Sequence, residues 1–196
     1  MTRDRQYRTL RLVLGDQLNA RHSWFDRVDG DVLYLIAELR QETDYVRHHV
    51  QKVCAFFAAM REFAGALRDA GHSVEHLTLE DTKEYNDLEE LVKVFCDRYS
   101  ITRFEFQAAD EYRLRRQLQA LDLRPEIRVT EFGSEHFLLR HDELGDWIEV
   151  GRHNRMESFY RRMRRHFGLL MDGDQPLGGR WNFDQDNRES LDAVHQ

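Results

Sequence analysis

Cysteine is scarce in this chain: Cys54 and Cys96 are the two among 196 residues. An iron–sulfur cluster takes about four thiolate ligands, so this sequence cannot supply one by itself. Both cysteines fall in stretches of periodic apolar residues, which predicts two buried thiols rather than a disulfide. Proline is equally rare, at Pro125 and Pro176, and no Pro- or Gly-rich linker marks a hinge. No run approaches about 18 apolar residues, and Met1-Thr2-Arg3-Asp4-Arg5 has no hydrophobic signal core. A membrane partner is therefore not expected, and the cytoplasm is the expected location. With a net charge of −7, the chain also lacks the positive excess of a nucleic-acid-binding surface.

Several catalytic signatures are missing too. The loop after the first apolar run carries one glycine, Gly15, where a dinucleotide site wants G-x-G-x-x-G to bring backbone amides to a pyrophosphate. No nucleophile elbow, Ser-His-Asp set or paired carboxylates can be recognised by spacing. His48 and His49 invite a metal, but adjacent helical residues point about 100° apart and cannot chelate one ion together. No catalytic residue and no metal ligand is assigned.

What is present is an alternation of apolar runs and helical patterns, which predicts an α/β, Rossmann-like three-layer domain. Its sheet is expected to have five mainly parallel strands, with helices on both faces. The strands are read at Thr9–Leu14, Val32–Leu39, Ser73–Leu79, Arg103–Gln107 and Ile127–Val129. From Tyr45 to Leu67 apolar residues recur every three or four positions, predicting one helix over 45–70, opened by Thr43 or Asp44 and closed at Gly71. Helices are also read at Leu88–Tyr99, Asp110–Leu121 and Met156–Phe167, and an irregular tail over Asp172–Arg188. The domain is expected to span 1–150, followed by an Arg-rich helix and junction over 151–196. Six arginines lie between Arg152 and Arg165, so a local basic face is open to the chain despite its acidic average.

Two loops combine position with chemistry. Gly15-Asp16-Gln17 follows the first strand, where α/β folds place ligand-contacting loops. Asp and Gln side chains suit the donor and acceptor edges of a heterocycle, although a plain strand-to-loop turn explains them equally. Glu42-Thr43-Asp44-Tyr45 follows the second strand. Asp44 fits helix capping without any function, while Glu42 is free to accept from the N–H of a pyrimidine-dione ring, with Tyr45 as a flat stacking face.

Leu14-Gly15-Asp16-Gln17-Leu18, Glu42-Thr43-Asp44-Tyr45-Val46, His48-His49 and Phe57-Ala58-Ala59-Met60-Arg61 resemble the N-terminal half of the prokaryotic iron–sulfur photolyase and cryptochrome proteins, the deoxyribodipyrimidine photolyase-related family. Met156-Glu157 with Phe159-Tyr160-Arg161 and Met163-Arg164-Arg165, then Gly178-Gly179-Arg180-Trp181-Asn182-Phe183-Asp184, resemble that family's junction. The resemblance implies a light-harvesting antenna domain, whose chromophore in members that carry one is 6,7-dimethyl-8-ribityllumazine. It implies an FAD and [4Fe–4S] domain as partner, with both groups expected only in a C-terminal half absent from this sequence. Damaged DNA would be a partner through the parent light-driven lyase, and this chain alone is expected to be inactive. By the same resemblance, Gly15, Asp16, Gln17, Glu42 and Tyr45 match the antenna pocket. Phe56 stands where relatives more often carry a smaller aliphatic and would narrow that pocket. An exposed junction is expected to drive self-association. The alternative is a standalone or split-gene binding module that docks on a separate partner.

Overall fold

The computed structural model describes residues 6–184. They form two compact units, one up to Leu138 and one from Leu139. In the first unit five parallel strands are ordered β3-β2-β1-β4-β5: β1 Thr9–Leu12, β2 Val32–Ala37, β3 Ser73–Leu77, β4 Arg103–Gln107 and β5 Arg128–Phe132. The helices are α1 Arg40–Asp44, α2 Val50–Asp69, α3 Leu88–Arg98 and α4 Tyr112–Gln119. The expected α/β, five-stranded parallel architecture is the one observed.

Because successive strand residues point to opposite faces, a central strand with both faces covered must be apolar throughout. β2 reads Val-Leu-Tyr-Leu-Ile and is buried along that run. Leu33 and Leu35 join Leu10, Leu12, Phe104 and Phe106 in a core shared with α3 and α4. Val32, Tyr34 and Ile36 face the other way, against Trp24 and the Met60, Ala64 and Leu67 stripe of α2. The chain leaves β1 for β2 and β3, then returns to lay β4 on the other side of β1. Such a reversal in strand order opens a crevice beyond the carboxyl ends of the strands.

The helix expected over 45–70 begins only at Val50; residues 45–49 are a break between it and the short α1, which lies before the expected span. His49 has extended backbone, and its Nδ1 accepts from the Gln51 N–H at 3.2 Å, so His49 rather than Thr43 or Asp44 caps α2. Tyr45, Val46 and Val50 are exposed as a result, although they continue the apolar periodicity. Cys54 is also exposed, on the outer face of α2, against the expectation of burial; Cys96 is buried as expected. The fifth strand starts one residue later than the sequence suggests and runs on to Phe132, whose ring meets Trp24 edge-on.

In the second unit α5 Leu144–Trp147 precedes α6 Met156–Phe167, which ends at Gly168 in the left-handed region (φ 63°), and a hairpin pairs β6 Met171–Asp172 with β7 Gln175–Pro176. The arginines of α6 are not simply solvated. Arg164 is buried and donates to the carbonyls of Leu169, Leu170 and Trp181 and to the Tyr160 hydroxyl. The guanidiniums of Arg161, Arg164 and Arg165 lie 4.7–5.5 Å from the Trp181 ring centre. Residues 172–184 of the expected irregular tail thus contain a short hairpin strand and a turn; 185–188 lie outside the described residues. No helix among the described residues is long and apolar enough to cross a membrane.

Candidate functional site

A cavity of about 270 Å³ opens beyond the carboxyl ends of β1 and β2. Its apolar wall comes from α2, through Val53, Phe56, Phe57 and Met60, with Leu88 and Leu114 contributed by α3 and α4. Its polar rim comes from Asp16 after β1, Glu42 and Thr43 in α1, Tyr45 and His48 in the break, Lys52 in α2 and Glu111 before α4. A shallower groove shares Gly15 and Asp16 with this cavity and runs along Asn19, Glu135 and His136.

Gly15 is closely packed by α2. A Cβ there would lie 2.4 and 2.7 Å from the ring edge of Phe56 and 2.9 Å from the Met60 sulfur. A side chain at position 15 would have to push the ends of these two α2 side chains aside. Phe56 lines the cavity, 39 % exposed, with its ring tilted against Phe57 at 6.5 Å between centres.

Asp16 stands at the rim, where water reaches one side of it and protein crowds the other. Desolvation raises its pKa above the ordinary carboxylate value. A backbone hydrogen bond and His136 oppose that rise, while the Asp110 and Glu42 carboxylates reinforce it. Gln17 is placed differently. It is buried and does not line the cavity. Its Nε2 donates to the carbonyls of Gln107 and Ala108 at 3.2 Å, and its Oε1 accepts from the Leu14 N–H, tying the β1 loop to the end of β4.

Glu42 receives Arg113 Nη2 on Oε2 at 2.9 Å and Gln41 Nε2 on Oε1 at 2.7 Å. The same guanidinium sits 4.7 Å from the centre of the Tyr45 ring, a cation–π distance. His48 packs edge-on against the Tyr45 ring at 5.4 Å between centres, and His49 is the α2 cap described above. Among the described residues no group of three or more His, Cys, Asp or Glu is arranged to hold a metal ion.

The structure therefore gathers Gly15, Asp16, Glu42, Tyr45 and Phe56 around one cavity and leaves Gln17 behind it. Sequence reasoning missed Glu38, Lys52, Glu111 and, behind the rim, Arg113. Only Glu111 carried a local signal, as an acidic cap: its carboxylate accepts from the Arg113 and Leu114 N–H groups at the start of α4. The buried carboxylate of Glu38 accepts from the Leu79 N–H and lies 3.5 Å from His76 Nε2, a pairing visible only once β2 and β3 are adjacent.

Against known proteins, the deoxyribodipyrimidine photo-lyase-related protein family model matches residues 11–196. A (6-4) photolyase of Agrobacterium fabrum is 37 % identical over 180 residues, which are 91 % of this chain and 35 % of that protein. An uncharacterized protein of Acanthamoeba polyphaga mimivirus is 24 % identical over 172 residues, 83 % of this chain and 85 % of that protein. The chain thus spans about a third of the photolyase it resembles and most of the length of the viral relative.

Proposed function

Since the chain belongs to the deoxyribodipyrimidine photo-lyase-related protein family, we propose that its first unit is the antenna domain of a (6-4) photolyase-like DNA repair flavoprotein. It holds 6,7-dimethyl-8-ribityllumazine in the cavity beyond β1 and β2 and serves an FAD domain that acts on damaged DNA in the cytoplasm. The observation that supports this reading is the convergence on one cavity of Gly15 and Asp16 with Glu42 and Tyr45, from two segments far apart in the chain.

The residues suit a flat, dione-edged ring. An apolar wall with a few placed polar groups at the edge is the usual build of a small-molecule site. Glu42 accepts from the ring N–H, Tyr45 lies against a ring face, and Asp16, with its raised pKa, meets hydroxyls of the ribityl chain. When bound, the lumazine supplies light absorption and excitation transfer. This chain's own residues bind it, orient it and keep water from its apolar side. The iron–sulfur cluster does not fit here: of the two thiols, Cys54 is on the surface and Cys96 is in the core, so the cluster and the FAD belong to the partner domain.

Fluorescence titration of the full chain with the lumazine tests the reading. Saturable binding that is lost in Glu42→Ala supports it; no binding by either the wild type or a widened Phe56→Ile variant overturns it. A second reading, a module that docks on a separate partner, draws support from the viral relative, which this chain matches over 85 % of its length. In that case the second unit, with exposed Tyr160, Leu170 and Phe183 beside the α6 arginines, is the docking face, and self-association in its absence is the expected behaviour.

A further inference from the structure

In a doubly wound sheet, an anionic ligand group usually docks on a helix N-terminus at the carboxyl ends of the strands. The helix starts that border this cavity already carry acceptors of their own. Glu111 Oε1 and Oε2 accept from the Arg113 and Leu114 N–H groups, which closes the start of α4 with a carboxylate. Glu42 lies in the first turn of α1, and His49 Nδ1 accepts from the Gln51 N–H at the start of α2. In the loop after β1, Gln17 Oε1 takes the Leu14 N–H. Five carboxylates, those of Asp16, Glu38, Glu42, Glu111 and Glu135, belong to residues lining the cavity and the groove that joins it at Gly15 and Asp16. Lys52 is the one permanent cation in that lining. Glu38 is 4 % exposed, and its Oε1 has no hydrogen-bond partner among the described residues. Behind the rim, Arg113 Nη2 is shared by Glu42 at 2.9 Å and Glu111 at 3.2 Å, so one guanidinium serves two carboxylates and the trio stays negative.

We infer that this crevice takes a heterocycle carrying an uncharged polyol chain and rejects the same molecule once its chain is phosphorylated. A phosphate brings a charge of about −1.5 to −2 at neutral pH and needs cations or free N–H groups in exchange for its water. Here it meets carboxylates, and the N–H groups of the α4 start are already taken. A polyol has no such need, because each hydroxyl can donate to a carboxylate and accept in turn. The same side chains that repel a phosphate therefore receive a free ribityl chain. Asp16 stands where cavity and groove meet, and after burial it is the Asp110 and Glu42 carboxylates that raise its pKa, as a negative field there requires. Mononucleotide and dinucleotide flavins carry their chain in phosphorylated form, so charge keeps them out of this crevice.

This inference rests on the chromophore reading above, and the test separates the two. The full chain, as wild type, Asp16→Asn and Glu111→Gln, is titrated at neutral pH with 6,7-dimethyl-8-ribityllumazine and with the phosphate ester of its ribityl chain. Ligand fluorescence is followed at low and at high salt. At low salt the wild type should bind the ester roughly tenfold more weakly, the repulsion of a doubly charged group beside one carboxylate in a water-like dielectric. High salt should narrow that gap. Each variant removes one charge and keeps an acceptor, so each should narrow the ratio at low salt, whatever it does to the lumazine affinity itself. Equal or tighter binding of the ester by the wild type overturns the exclusion and leaves the chromophore reading standing. So does a gap that neither salt nor either variant changes, since its cause is then steric. Binding of neither compound, by the wild type and by Phe56→Ile, overturns the chromophore reading and this inference with it.

Discussion

Replacing Phe56 by isoleucine should open the cavity to the lumazine. At about 270 Å³ the cavity is just below the roughly 300–1,000 Å³ that small-molecule sites usually offer. Phe56 lines it and packs against Gly15, where a Cβ would lie 2.4 Å from Phe56 Cε1. A ring entering there must displace Phe56, and forcing extra atoms into a packed site costs about 1–3 kcal/mol. At 1.4 kcal/mol per decade, that lowers affinity by roughly one to two powers of ten. Isoleucine is shorter and removes the flat ring while keeping an apolar wall against Met60. Because Phe56 is already 39 % exposed, the fold should lose less than about 1.5 kcal/mol, the range for tolerated apolar swaps. Fluorescence titration of both proteins measures the gain, and urea unfolding measures the cost. Equal lumazine affinity in the two would show that the ring does not gate the site, and the packing argument would fall with it.

Met60, 2 % exposed beneath the cavity, should cost about 2–5 kcal/mol when changed to alanine, read as a lower urea midpoint; a change under about 0.5 kcal/mol would place the α2 stripe outside the core. Burial lowers the His76 pKa from 6.5, against the pull of Glu38, so the unfolded chain binds more protons in that range. Stability should therefore fall as pH drops through 6.5, and His76→Gln should flatten that slope; an unchanged slope would assign it to other groups. Cys54 should react with a maleimide in the native protein, whereas Cys96, its thiol pushed up to about 12 by burial, should label only in denaturant. Two equivalents taken up without denaturant would contradict the packing of α3.

How far this molecule could be read from its sequence depended on whether a signal was local. β2 and the Met60–Ala64–Leu67 stripe were legible because burial on a strand or helix face leaves a period in the chain itself. The break before α2 was not, for the same reason: Tyr45, Val46 and Val50 carry the period on, and the cap that ends it is a histidine, outside the usual capping residues. Glu42 and Tyr45 could be placed at a strand's carboxyl end from position alone, but what holds them could not, since Arg113 lies 71 residues beyond Glu42 and looks like any arginine on an exposed helix. Gln17 fails in the opposite sense. Its neighbours in sequence suggest a ligand, while its partners in space, the Gln107 and Ala108 carbonyls, use its amide to join the β1 loop to the end of β4. Gly15 shows the same dependence. A lone glycine after a strand is weak evidence for anything, and its missing side chain gains a reason only when Phe56, from another element, is found against it. Residue type and position thus locate the crevice, whereas the role of each side chain in it is decided by a partner that only the fold brings near.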